Sequence, residues 1–170
     1  MSRNPDWNIQ RTFKRAEVYF VNLPEEPLLD PDASFVMSGD HRVVVLYDSE
    51  YPRNTVTVLP ITSLYDANGI QKTTIPTDFV MKHADYENSQ RPYRGTIRGD
   101  SCIRMDQIRS ISRHYLERCV GEVLPEDMIL IDLRLITSLQ LQETVSLLVE
   151  SKVQEILGES GYTDEQEDSK

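Results

Sequence analysis

Gly99-Asp100-Ser101-Cys102-Ile103-Arg104-Met105-Asp106-Gln107-Ile108-Arg109-Ser110-Ile111 reads as a turn, a strand and a polar exit. A strand over Ser101–Gln107 places Arg104 and Asp106, two positions apart, on one face. A cation beside a carboxylate has two readings. It is a pair that binds a phosphodiester and moves its proton, or it is a solvated ion pair worth ~0–1 kcal/mol.

The chain around this stretch is punctuated in the same way. Ala16–Asn22, Arg42–Tyr47, Thr55–Ile61 and Leu116–Val123 are short apolar or alternating runs that suit strands, and Thr73–Lys82 is a weaker one interrupted by Pro76. Between them lie the proline-bearing connection Leu23–His41, the Thr62–Lys72 loop with its Asn68-Gly69 turn, and the polar stretch His83–Arg98, which is expected to be a mobile loop. Many short strands joined by turns predict a small β-barrel. The character changes at Pro125-Glu126-Asp127, where proline and two acids head an apolar-periodic run and mark a helix start. Thr137–Gln140 is a weak helix former and a candidate break, and Glu143–Leu157 is a second amphipathic segment expected to pack on the barrel or on a dimer mate. The predicted organisation is a polar segment over 1–15, a folded region over 16–157 and an acidic, disordered tail over 158–170.

A length of 170 residues suits one domain with a proper core, and 39% hydrophobic residues suit a globular chain. The net charge of −10 taken by itself argues against a polyanionic partner, but the charge is uneven. From Arg91 to Arg118 seven arginines face three acids, a net +4, which leaves −14 for the remainder. A local basic surface of this kind suffices for phosphate contacts. Arg94 and Arg98 are candidates within it, with Tyr86, Tyr93 and Tyr115 as residues that could stack on bases. The two cysteines, Cys102 and Cys119, are expected to be buried free thiols, since nothing else suggests a disulfide scaffold. The three histidines are widely spaced and make no metal motif, and His41 beside Arg42 is a candidate acid. Trp7 falls in a segment expected to be loosely held. No apolar run approaches membrane-spanning length, and the N-terminus lacks the apolar core of a signal peptide, so a cytoplasmic protein with no membrane partner is expected.

Four blocks, in order, resemble the PemK/Kid/MazF toxins of toxin–antitoxin pairs. Glu17-Val18-Tyr19-Phe20-Val21-Asn22-Leu23 resembles the opening strand of that family. His41-Arg42-Val43-Val44-Val45-Leu46 resembles its T-R-P-V-L-V strand, and Val58-Leu59-Pro60-Ile61-Thr62-Ser63 its V-x-P-[IV]-T-S segment. Ser101–Ile111 resembles its D-Q-x-R-[ST]-I segment, and Leu124-Pro125-Glu126-Asp127-Met128 the start of its C-terminal helix. The similarity spans roughly residues 16–140. Val43 replaces the proline after the arginine, Ala16-Glu17 replaces a G-D opening, and the glycine-rich loop before the arginine strand is not recognisable in Leu28–Asp40.

The resemblance implies a mainly β fold with a C-terminal helix (α+β), an SH3-like barrel that forms a homodimer. It implies sequence-specific, metal-independent cleavage of single-stranded RNA with no cofactor, inhibited by a cognate antitoxin. By position, Arg42 and Thr62 match residues that line the cleavage site, and Arg104 and Asp106 match the R-x-D pair assigned as acid and base. Gln107 and Arg109 match the D-Q-x-R frame. With His41, Arg94 and Arg98 they form the expected RNA-binding set. Asp106 suits a base for the 2′-hydroxyl. Arg104 suits phosphorane binding better than acid catalysis, because guanidinium keeps its proton. Arg42 suits a bidentate phosphate clamp. Two alternatives stand beside this reading: a catalytically impaired member that binds RNA or protein, and a gyrase-directed inhibitor of the CcdB kind on the same barrel.

Overall fold

The structure, a computed structural model, describes residues 11–24, 36–50 and 52–160. Trp7, the first ten residues, most of the Leu23–His41 connection and the tail from 161 lie outside the described residues. Among the described residues seven strands form one antiparallel sheet: β1 (Glu17–Leu23), β2 (Gly39–Val45), β3 (Thr55–Ser63), β4 (Phe79–Met81), β5 (Ser101–Ile103), β6 (Arg109–Ser112) and β7 (Leu116–Glu122). The order is β4-β5-β3-β2-β1-β7, with β6 also on β3, and among the described residues no pairing joins the ends β4 and β7. The sheet is therefore open in its hydrogen bonding.

Alternation divides the strand side chains between two cores. Val18, Val44, Leu59, Ile61 and Ile103 pack in one, beneath Met128 and Ile131 of α2 (Pro125–Ser138). Tyr19, Val21, Val43, Val45, Val56 and Val58 pack in the other, around Phe13. Phe13 belongs to the stretch read as polar, yet it is wholly buried, with its ring edge-on to Tyr19 at 5.3 Å. Arg113, one of the seven arginines of the basic stretch, is 1% exposed in the same region. It donates to the Arg11 and Ser49 carbonyls and lies over the Phe13 ring.

The run from Ser101 to Gln107, expected as a single strand, is broken. β5 and β6 both pair with the same edge of β3, Ile103 opposite Ile61 and Arg109 opposite Val58. Residues 104–108 are thus spread against Leu59 and Pro60. Pro60 offers that edge a carbonyl, taken by the Arg104 amide at 3.4 Å, but no N–H, so the ladder breaks there. The freed chain makes a 3₁₀ turn over Met105–Gln107.

The stretch His83–Arg98 is better anchored than its polarity suggests. It opens with α1 (His83–Glu87) and buries Tyr86, Thr96 and Ile97. The Tyr86 hydroxyl donates to Asp127 at 2.7 Å, and burial raises the Asp127 carboxyl above its ordinary range despite that bond. The closing helix breaks where its sequence weakens. Gln140 takes φ +56°, its amide bonds the Thr137 carbonyl, and the Leu141 amide bonds that of Ile136. These two bonds are a Schellman ending with glutamine in the usual glycine place. α3 (Gln142–Ser160) follows, continuing through Gly158. The described chain separates into compact units at Leu135/Ile136. Within the second, Leu147, Leu148, Val149, Val153, Ile156 and Leu157 are exposed. Among the described residues no helix is long and apolar enough to cross a membrane.

Candidate active site

Where β2 begins and β3 ends, the sheet rim opens into a groove of about 510 Å³. His41, Arg42, Ile61, Thr62, Arg98 and Ser101 line it, with Phe20, Asp40 and Asp100. Register explains the gathering. Arg42 lies between Phe20 on β1 and Ile61 on β3, and Thr62 faces Cys102 on β5. Three separate parts of the sequence, His41-Arg42, Thr62 and Arg98, therefore meet at one rim. Arg42 is half-buried, and among the described residues its Nε has no hydrogen-bond partner. Burial, and then the charges of Arg98 and Arg118, lower the pKa of its guanidinium. Lys72 was not singled out from sequence. The turn at Asp66–Ile70 folds the loop back, and the Lys72 ammonium donates to Thr62 Oγ1 at 3.2 Å. An exposed lysine in a loop carries no sequence signal for this position.

Arg104 and Asp106 do not line that groove. The turn, rather than strand alternation, brings them together, with Arg104 Nε 3.5 Å from Asp106 Oδ1. Arg104 Nε is closer, at 3.3 Å, to Oδ1 of Asp78, a carboxylate with no exposed side-chain surface. The other Asp78 oxygen accepts the Ile75 amide at 2.9 Å. Asp78 also escapes a sequence reading, since aspartate after Pro76-Thr77 looks like an ordinary turn former. Gln107 binds this cluster to the approach to β2. Its Oε1 accepts the Met37 amide at 3.2 Å and Arg109 Nη2 at 3.1 Å, while its Nε2 faces Asp106 at 3.4 Å. Burial, then Asp78, pushes the Cys102 thiol up to about 11. Cys119, expected to be buried, is exposed, and both thiols are free.

The remaining candidates scatter. Arg94 is exposed and lines neither this groove nor the two that adjoin it around Phe20. Tyr86 is enclosed and has no face for a base, Tyr93 packs against the core, and Tyr115 is exposed. Among the described residues no group of three or more His, Cys, Asp or Glu side chains could hold a metal ion.

An open antiparallel sheet followed by C-terminal helices, with a polar groove at the sheet rim that holds Arg42 and Arg98 as well as Asp40 and Asp100, defines a class of small, mainly β protein. Residues 14–139 match the family model of the PemK-like, MazF-like toxin of type II toxin–antitoxin system, and the chain belongs to that family. No curated protein matches it significantly. The fold is that of solved relatives. A MazF from Deinococcus radiodurans superposes with TM-score 0.52 at 14% identity, covering 77% of this chain and 99% of that one. An endoribonuclease from a mycobacterial species does so with TM-score 0.50 at 19% identity, covering 77% and 94%.

Proposed function

We propose that the protein is the toxin of a type II pair, an endoribonuclease that cuts single-stranded RNA at a short motif without a metal ion. The observation that carries this reading is the meeting of Arg42, Thr62, His41 and Arg98 in one groove of a chain that belongs to the toxin family. In such a reaction the 2′-hydroxyl attacks its own phosphate, so one proton leaves, another reaches the 5′-oxygen, and a crowded anion forms between. Arg42 and Thr62 hold that anion. His41, in the groove itself, is the donor to the leaving oxygen. Asp106, on the Met105–Gln107 turn that follows β5, takes the 2′-proton, and Arg104 and Arg109 bind flanking phosphates. We read the sheet as the family's SH3-like barrel, the active species as a homodimer, and the inhibitor as a cognate antitoxin covering this surface. The acting region is 16–157.

Induced expression tests the assignment. Wild type should arrest bacterial growth, and Asp106→Ala and Thr62→Ala should relieve it while accumulating as folded protein. Full toxicity of Asp106→Ala would overturn the proposed base. One observation favours a second reading, a binding member with weak or no catalysis: Arg104 is nearer to buried Asp78 than to Asp106, which draws half of the R-x-D pair into a structural contact.

A further inference from the structure

Three arginines from separate segments line one groove beside the Phe20 ring. Arg42 comes from β2, opposite Phe20. Arg118 comes from an irregularity in β7. Leu116 pairs with Val21 and Cys119 with Tyr19, so Glu117 and Arg118 together face Phe20, a bulge that re-aims the side chain. Arg98 comes from the stretch anchored through Thr96. The guanidiniums of Arg42 and Arg118 lie 5.1 and 4.8 Å from the Phe20 ring centre. Among the described residues none of the three forms an ion pair with a carboxylate. Like charges held close repel one another, and an anion seated among them offsets that repulsion; the carboxylates of Asp40, Asp100 and Glu117 line the neighbouring walls. Two further grooves continue from the first around Phe20. One, of about 260 Å³, is lined by Arg42, Gly95, Arg98, Arg118 and Cys119. The other, of about 350 Å³, is lined by Val21, Asp40, Glu117 and Arg118. Asp40 there already accepts the Asn22 amide at 2.7 Å.

We propose that Arg98 and Arg118, which share a groove with Phe20 and Arg42, form a second phosphate subsite that holds a backbone phosphate of single-stranded RNA next to the one at Thr62. The proposal rests on the RNA-cleaving reading above. The guanidiniums occupy the neighbourhood of the ring, so the subsite takes phosphate rather than a stacked base. Its contribution is affinity and strand register, not chemistry.

The test is binding of a non-cleavable, fully 2′-O-methylated RNA oligonucleotide to the full chain across a salt series. Removing one arginine that neutralises a phosphate should lower the slope of log Kd against log salt by about 0.7. Arg98→Ala and Arg118→Ala should each do so, weakening binding severalfold with unchanged melting temperature, and Arg118→Lys should restore most of the slope. Arg53→Ala, which removes an exposed arginine from the turn before β3, should leave it unchanged. If wild type binds and Arg118→Ala keeps the wild-type slope, the subsite is wrong and the RNA reading stands. An equal decrease in Arg53→Ala also overturns it, since net charge alone would then be acting. If Arg118→Ala loses affinity for a polyglutamate peptide and not for RNA, the surface is a protein dock and the proposal falls. If wild type binds no RNA, both readings fall.

Discussion

Arg104 sits between two carboxylates of different standing. Asp78 is enclosed and Asp106 is substantially exposed. Removing Arg104 strands a buried charge, so Arg104→Ala should cost about 3 kcal/mol. Asp106→Ala removes an exposed partner and should stay within about 0.5 kcal/mol of wild type. Urea unfolding of both variants checks this, and equal stabilities would show that Asp78 does not depend on Arg104. The thiols separate in the same way. Cys102 is buried with its pKa raised to about 11, so at pH 8 almost none of it is thiolate. Cys119 is exposed. Iodoacetamide on native protein should label Cys119 and spare Cys102, as read by peptide mass, and equal labelling would contradict the placement of β5. The sequence names Arg104 and Asp106 as neighbours but says nothing of Asp78, because a turn aspartate and a buried ion-pair aspartate are spelled alike.

At the scale of elements, the stretch 92–98 is held against β7 by close approach. Thr96 Oγ1 donates to the Glu122 carbonyl at 3.0 Å, and the Glu122 amide donates to that of Pro92 at 3.3 Å. A Cβ on Gly121 would lie 2.2 Å from Thr96 Oγ1 and 2.6 Å from the Pro92 oxygen. Gly121→Ala should therefore cost about 1–3 kcal/mol and weaken RNA binding by displacing Arg98. Wild-type melting temperature and affinity together would show that the stretch does not depend on this packing. Most strands were legible from alternation, as Glu17–Leu23 and Thr55–Ser63 show. β6 was not, because the turn that separates it from β5 follows from a missing N–H on Pro60 of a different strand. α1 was hidden by the polarity of His83–Glu87, whose one buried residue is Tyr86. The helical break was visible as weak formers, though the left-handed glutamine that makes it was not.

For the molecule as a whole, charge and exposed apolar surface pose the same question about partners. The chain carries −10, yet Arg42, Arg98 and Arg118 stand together, and among the described residues none of them forms an ion pair with a carboxylate. Local excess, rather than net charge, is what a phosphate backbone meets. The basic stretch 91–118 was legible in sequence, but its division was not. Arg113 goes to the core, Arg104 to Asp78, and Arg98 and Arg118 to the rim. α3 exposes Leu147, Leu148, Val149, Val153, Ile156 and Leu157, and exposed apolar patches mark interaction surfaces. If the proposed homodimer forms through α3, truncation after Gln142 should lower the sedimentation coefficient to that of a monomer, and an unchanged value would make α3 dispensable to assembly. The central claim is chemical, and one measurement meets it. Pure, antitoxin-free protein is incubated with a long mixed-sequence RNA in EDTA, and the new 5′ ends are mapped. The account predicts discrete cuts at one short motif, absent in Asp106→Ala. Intact RNA beside demonstrably folded protein, or the same cuts from Asp106→Ala, would contradict it.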